Sequence, residues 1–127
     1  MTLDKPIWVA GCMSGTSLDG VDVALLQTDG RHIYDFGPTH YVPYGAADQT
    51  ILRRALGQWP GGPDVAEAAK IIEDVHIEAL KAVGPCDIIG FHGQTLAHDP
   101  GQASTHQAGD GARLAQMLGR PVVWDFR

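Results

Sequence analysis

The sequence has few of the features that mark membrane, exported or nucleic-acid-binding proteins. No apolar run approaches the roughly 18 residues of a membrane-spanning helix, and the N-terminus lacks a charged leader followed by an apolar block. We therefore expect a soluble protein that is not exported. Nine basic and 15 acidic residues give a net charge of −6, with the basic residues scattered along the chain. Because no basic stripe can follow a phosphate backbone, neither nucleic acid nor a membrane is an expected partner.

Cysteine pairs and metal-ligand spacings are also missing. Cys12 and Cys86 lie in separate apolar runs, which fits a reduced, cytoplasmic setting. The six histidines show no spacing of the zinc type, so we expect no transition-metal site. His76 falls on the apolar face of a predicted helix, where a hydrogen-bonded core residue is expected.

What remains is the composition and pattern of one globular domain. The 127 residues are 44% hydrophobic and 19% charged, enough for a buried core and unlike a disordered chain. Periodicity and turn residues predict three strands, two helices, a strand, a helix and a strand. This order indicates an α/β fold whose sheet begins with three antiparallel strands and continues through helical crossovers. The predicted elements span residues 7–13, 21–28, 33–44, 46–56, 64–83, 86–91, 110–119 and 122–124.

Helix ends carry recognisable signals. Asp64 and Glu67 have the spacing of a capping box before the longest predicted helix, on which Glu73 is expected to face outward. Asp110 and Gly119 are expected to begin and end the last helix.

Glycine is in excess, with 16 residues, and one cluster has the chemistry of an anion site. The segment from Gly15 to Gly20 combines accessible backbone N–H groups with two hydroxyls and a carboxylate, a set that can hold a phosphate and its metal. It has no P-loop lysine and lies between two strands, which excludes the Walker and dinucleotide motifs. An ordinary hairpin loop is the alternative.

Four blocks of sequence, at residues 11–22, 90–95, 107–110 and 122–127, resemble in order the signature blocks of the anhydro-N-acetylmuramic acid kinase family. The resemblance implies the two-lobed actin-like, sugar-kinase and heat-shock ATPase fold, which is ribonuclease H-like, with residues 1–127 forming most of the first lobe only. It also implies a kinase that uses ATP and Mg²⁺ to open a 1,6-anhydro ring hydrolytically and phosphorylate O6, in peptidoglycan recycling.

Two departures from the family stand out. The second phosphate-binding segment, the adenosine pocket and the second lobe are not in this sequence, so the fragment alone is expected to be inactive. Self-association through exposed apolar surface, as a homodimer, is a further expectation. His106 stands directly before the third block, where the family usually has an apolar residue, and within that block Ala108 replaces a larger aliphatic one. A non-catalytic anion-binding or assembly domain of the same fold is the alternative function.

The resemblance assigns a role to the first block. It implies an ATP phosphate-binding loop and makes Asp19 or Asp22 the expected magnesium ligand. Alternatively, Asp19 completes a turn and Asp22 points to solvent. The residues of the expected loop are Gly15, Thr16, Ser17, Leu18, Asp19, Gly20, Val21 and Asp22.

The other blocks are expected to serve the sugar and the chemistry. A loop containing His92, Gln94 and Thr95 follows a predicted buried strand, where open α/β sheets bind ligands, and the resemblance adds Gln107 and Arg127 on the same side. A structural loop is the alternative. Asp125 is the expected general base; alternatively it caps a turn or pairs with Arg127 or Arg120.

Overall fold

The structure is a computed structural model that describes residues 3–101 and 104–127. It contains one mixed sheet and three helices, in the predicted α/β class. The elements are β1 (Ile7–Ser14), β2 (Gly20–Thr28), β3 (Ile33–Pro43), α1 (Ala46–Ala55), α2 (Val65–Val83), β4 (Ile88–Asp99), β5 (Ser104–Ala108), α3 (Gly111–Leu118) and β6 (Val122–Trp124).

The sheet has the strand order β3-β2-β1-β4-β5, with β6 also paired to β4. β1, β2 and β3 run antiparallel because short turns join them, as predicted. The α1–α2 crossover returns the chain to place β4 parallel to β1, and α3 does the same for β6. The carboxyl ends of β1 and β6 therefore lie on the same side of the sheet, beside the middle of β4, which runs on to Asp99.

Packing separates a covered face of the sheet from an open one. Inward residues such as Val23 and Ile89 join the helices in one core, dominated on α2 by Ile72 and Leu80. On the other face Met13, Asp22 and Tyr41 lie side by side in register and are exposed. None of the helices in residues 3–101 and 104–127 is long and apolar enough to cross a bilayer.

His76 is a core residue, as predicted. Its Nδ1 lies 2.6 Å from the carbonyl oxygen of Ile72, which can only accept, so the proton is on Nδ1. Within the described residues Nε2 has no partner, and the ring packs edge-on against Phe91. Burial consequently lowers the pKa of His76 from 6.5 to about 4.

This histidine should make the fold sensitive to acid. Between pH 6.5 and 4 the unfolded chain binds a proton that the folded chain does not, so the free energy of unfolding falls as pH falls. We expect this loss to reach about 3 kcal/mol between pH 7 and 4. Denaturant unfolding of His76→Leu should show a smaller loss, whereas the exposed His98→Leu should behave as wild type. An unchanged pH slope in His76→Leu would contradict the assignment.

Two expectations about α2 are wrong. Asp64 precedes the helix, but its side chain caps no helix N–H and instead accepts a hydrogen bond from Gln58 Nε2 at 2.8 Å. Glu73 is buried, because its carboxylate accepts from Asp110 N at 2.9 Å and from Arg113 Nη1 at 3.1 Å. These partners come from the α3 region and cannot be read from the periodicity of α2.

The end of α3 follows its sequence signals. Asp110 Oδ1 accepts from Ala112 N at 2.9 Å, and Gly119 ends the helix in a left-handed conformation with φ 65°.

The predicted loop at residues 92–95 is a continuation of strand β4. The strand runs on to Asp99 and pairs with β5, which was not predicted. Polar residues in both strands hid this hairpin, since alternation of apolar and polar residues is the signal for a strand.

Candidate functional site

The loop between β1 and β2, residues 15–19, has a fixed conformation. Leu18 N donates to Gly15 O at 3.1 Å, and Tyr44 N donates to Asp19 O at 2.9 Å. Leu18 adopts φ 60° and is buried, so packing of its side chain compensates for an unfavourable backbone conformation. The loop is thus a defined turn that hydrogen bonds and the packing of Leu18 hold in place.

The surface of this loop fits an anion. Within the described residues, the backbone N–H groups of Thr16 and Ser17 have no acceptor. Both residues are exposed. A side chain added at Gly15 would meet only Ser17 Oγ, at 3.8 Å, so the space beside this backbone is open. Free N–H groups beside open space are the donors that phosphate oxygens use.

Behind the loop, Ser14, Gln94 and Tyr44 form a buried polar cluster, which we call the brace. Ser14 Oγ bonds Gln94 Oε1 and lies 2.8 Å from the Tyr44 hydroxyl. Gln94 Nε2 lies 3.2 Å from the carbonyl oxygens of Gly15 and Thr95. Sequence reasoning missed Ser14 and Tyr44, because no local pattern reports a contact between residues 30 and 80 positions apart.

A bulge in β4 brings Gln94 to the brace. Cys12 pairs with Phe91, but Ser14 pairs with Gln94, so β4 contains one extra residue between these pairs. Gly93 supplies the bulge with φ 76°, and a Cβ there would lie 2.8 Å from Ala108 O. The bulge turns the Gln94 side chain inward, where regular alternation would have placed residue 93.

The other polar residues of β4 meet Gln107 on β5. Thr95 Oγ1 donates to Gln107 Oε1 at 2.5 Å, and Gln107 Nε2 donates to His92 O at 3.1 Å. Arg127 Nη1 lies 3.3 Å from His92 Nε2. Gln107 Nε2 also lies 3.3 Å from His92 Nδ1, so both ring nitrogens of His92 have a polar neighbour. The structure thus brings together four of the predicted sugar-site residues, all partly or fully accessible.

Asp125 follows β6 at the same edge. It is exposed and adopts φ 58°, a conformation that aspartate tolerates better than most residues. Neither Arg120 nor Arg127 forms an ion pair with it in residues 3–101 and 104–127; Arg120 Nε instead donates to Cys86 O at 2.8 Å. The narrow cleft beside it is lined by Phe91, His92, Gly93, Gln107, Gly109, Trp124 and Asp125.

The two expected magnesium ligands lie in different surroundings. Asp19 is an exposed residue of the loop, whereas Asp22 projects from β2 onto the open face of the sheet. No cluster of three or more metal-ligating side chains occurs in the described part of the chain. Mg²⁺ that is also held by phosphate groups needs only one or two carboxylates, and of the two candidates Asp19 is the one that lies in the residue 15–19 loop. A groove of about 480 Å³ beside Asp22 is lined by Gly11, Cys12, Met13, Asp22, Val23, Ala24, Thr39 and His92.

Comparison with known proteins identifies relatives that match more than nine-tenths of this chain. The chain is 60% identical to the anhydro-N-acetylmuramic acid kinase of Cereibacter sphaeroides over 95% of this chain and 33% of that protein. It is 56% identical to anhydro-N-acetylmuramic acid kinase 1 of Jannaschia sp., over 96% of this chain and 32% of that one. A third relative, from Rhodopseudomonas palustris strain HaA2, is 45% identical over 92% and 36%.

The chain spans about a third of the length of these curated relatives. A family model described as anhydro-N-acetylmuramic acid kinase matches residues 7–127, which include all the predicted site residues. The chain belongs to the anhydro-N-acetylmuramic acid kinase family.

Proposed function

We propose that this chain supplies most of the first lobe of an ATP-dependent kinase that opens the ring of 1,6-anhydro-N-acetylmuramic acid and phosphorylates O6. The supporting observation is the convergence of three polar groups where the parallel strands β1 and β6 end beside residues 91–94 of β4, since open α/β sheets bind ligands where parallel strands end. These groups are the residue 15–19 loop, the cluster around His92, and Asp125.

In this proposal the loop binds the phosphates of ATP. The free N–H groups of Thr16 and Ser17 donate to phosphate oxygens, and the missing side chain at Gly15 permits their close approach. Asp19 is the proposed ligand of the accompanying Mg²⁺. When bound, Mg²⁺–ATP supplies the phosphoryl group that is transferred.

His92, Thr95, Gln107 and Arg127 are proposed to seat the sugar. The Gln107 amide bonds the Thr95 hydroxyl and the backbone carbonyl of His92, and the Arg127 guanidinium lies 3.3 Å from the His92 ring, contacts that limit the motion of these groups before the substrate arrives. Such pre-organised polar groups orient a sugar through its hydroxyls.

Asp125 is proposed to act as the general base. Water attacks the anomeric carbon, Asp125 accepts a proton from that water, and the bond from this carbon to O6 breaks while O6 receives the phosphoryl group. The carboxylate suits this role because no ion pair within the described residues occupies it.

The test uses a chimera, in which residues 1–127 replace the matching N-terminal residues of the Cereibacter sphaeroides relative. We expect the chimera to convert ATP and 1,6-anhydro-N-acetylmuramic acid into ADP and the 6-phosphate of the opened sugar. Phosphorylation of ordinary hexosamines instead would assign another substrate. No phosphorylation of any sugar by a folded chimera would favour a binding or assembly role.

Gln107→Ala tests the proposed sugar site. The change removes the acceptor of Thr95 and the donor to His92 O, so the KM for the sugar should rise by about five- to a hundredfold. The KM for ATP should stay within about twofold. Thr105→Ala, on the same strand but bonded to His98 beyond the site, is the matched control and should change neither constant. Equal increases in both constants for Gln107→Ala would indicate a structural role.

A further inference from the structure

We infer that Gln94 is a positioning residue for the nucleotide, which holds the residue 15–19 loop through the brace rather than contacting the sugar. The inference rests on the proposed function, because it assumes that this loop binds ATP. It differs from the sequence-based expectation, which placed Gln94 with the sugar ligands.

The Gln94 side chain is inaccessible to a sugar. Gln94 has none of its surface exposed, whereas Thr95 and His92 are partly accessible. Both N–H groups of the Gln94 amide point at carbonyl oxygens, and its own oxygen accepts from Ser14. No donor of this side chain remains for a sugar hydroxyl.

The hydrogen bonds that connect Tyr44 to the loop through Ser14 and Gln94 all donate in one direction, toward the loop. Ser14 donates its hydroxyl proton to Gln94 Oε1, so Ser14 Oγ must accept from the Tyr44 hydroxyl. Burial raises the pKa of Tyr44 to about 12, which keeps that hydroxyl protonated. Donation therefore runs from Tyr44 through Ser14 and Gln94 to Gly15 O.

The peptide bond between Gly15 and Thr16 connects the brace to the exposed surface of the loop. In a trans peptide the carbonyl oxygen and the following N–H point in opposite directions. Gln94 Nε2 and Leu18 N both hold Gly15 O toward the protein, which directs the N–H of Thr16 away from it. Within the described residues that N–H has no acceptor, which leaves it available to phosphate. The brace thus sets the orientation of a proposed nucleotide contact.

The brace also contacts the other end of the loop, at Asp19. Tyr44, whose hydroxyl begins the chain of hydrogen bonds, also donates its backbone N–H to Asp19 O at 2.9 Å. One buried network therefore spans both ends of the loop, and a change at Gln94 should alter the loop without touching its sequence.

The decisive variants are Gln94→Glu and Gln94→Met in the chimera. Glutamate can still accept from Ser14 but sets an oxygen against Gly15 O, and methionine keeps the volume while removing both interactions. For both variants we expect the KM for ATP, and the Kd for a non-hydrolysable ATP analogue, to rise by about five- to a hundredfold. The KM for the sugar should stay within about twofold, the reverse of Gln107→Ala.

Coupling within the brace provides a second readout. Ser14→Ala should raise the KM for ATP in the same way, and combining it with Gln94→Met should add little, since both remove the same link. Tyr44→Phe removes one hydroxyl with little risk to folding and should give a smaller effect of the same kind. It keeps the inference testable where a Gln94 variant does not fold.

Val83→Ala is the control for loss of stability. Val83 is buried beside Trp8, at the opposite end of β1 from the loop, so it should lower the melting temperature without changing either KM. If the Gln94 variants change the KM for the sugar instead, or change neither KM, the inference is overturned. Gly15→Val separates this failure from failure of the proposed function, because an unchanged nucleotide affinity there would show that the loop does not bind ATP.

Discussion

Asp125→Asn is expected to lower the kcat of the chimera by about 10² to 10⁴, the usual cost of losing a general base. The amide keeps the shape of the carboxylate but cannot accept the proton of the attacking water. Asparagine also tolerates the left-handed backbone that Asp125 adopts, so the chain should not rearrange. Steady-state kinetics should show KM values for sugar and ATP close to those of the parent chimera.

A matched control keeps this result specific to the site. Asp35→Asn makes the same chemical change on β3, where the side chain accepts from the neighbouring Phe36 N at 2.8 Å and from no other described residue. This variant should retain full kcat. An Asp125→Asn enzyme that turns over at the parent rate would return Asp125 to a structural role.

Gly15→Val is expected to weaken ATP binding by about tenfold or more, with little loss of stability. The open space beside Gly15 accommodates the added side chain, but that is also the space through which the phosphates approach the backbone N–H groups. Calorimetric titration with a non-hydrolysable ATP analogue measures the affinity, and thermal unfolding checks the fold.

Gly101→Val makes the same change in the turn that follows β4, where the nearest atom to an added Cβ is Asp99 Oδ1 at 3.8 Å. It should leave nucleotide affinity unchanged. Loss of affinity in both variants would point to a general effect of valine in an exposed turn, and loss in neither would remove the loop from the nucleotide site.

Apart from β5 and the second half of β4, local chemistry in the sequence determined the elements and their order. Short turns containing Gly15 and Gly30 joined the first three strands into an antiparallel meander, and a long crossover forced the next strand to run parallel. Asp110 and Gly119 marked the ends of α3 because capping and left-handed termination depend on residues within one turn. The four blocks of the family likewise lie in continuous segments of the chain.

Only the tertiary structure decided which polar side chains face inward. Glu73 is buried because its partners come from the α3 region, nearly 40 residues away in sequence. The capping box at Asp64 failed because Gln58, from the preceding turn, bonds the carboxylate.

The same distinction governs the site. His92 and Gln94 lie two residues apart, and a regular strand would place both on one face. The bulge at Gly93 separates them, so His92 faces Arg127 while Gln94 bonds Ser14, 80 positions earlier in the chain. The pairing of β4 with β1 and β5 sets the geometry of this bulge. Glycine is required at residue 93 because a Cβ there would lie too close to Ala108 O. The sequence by itself determined that this segment is polar, and the register between distant strands decided what each residue touches.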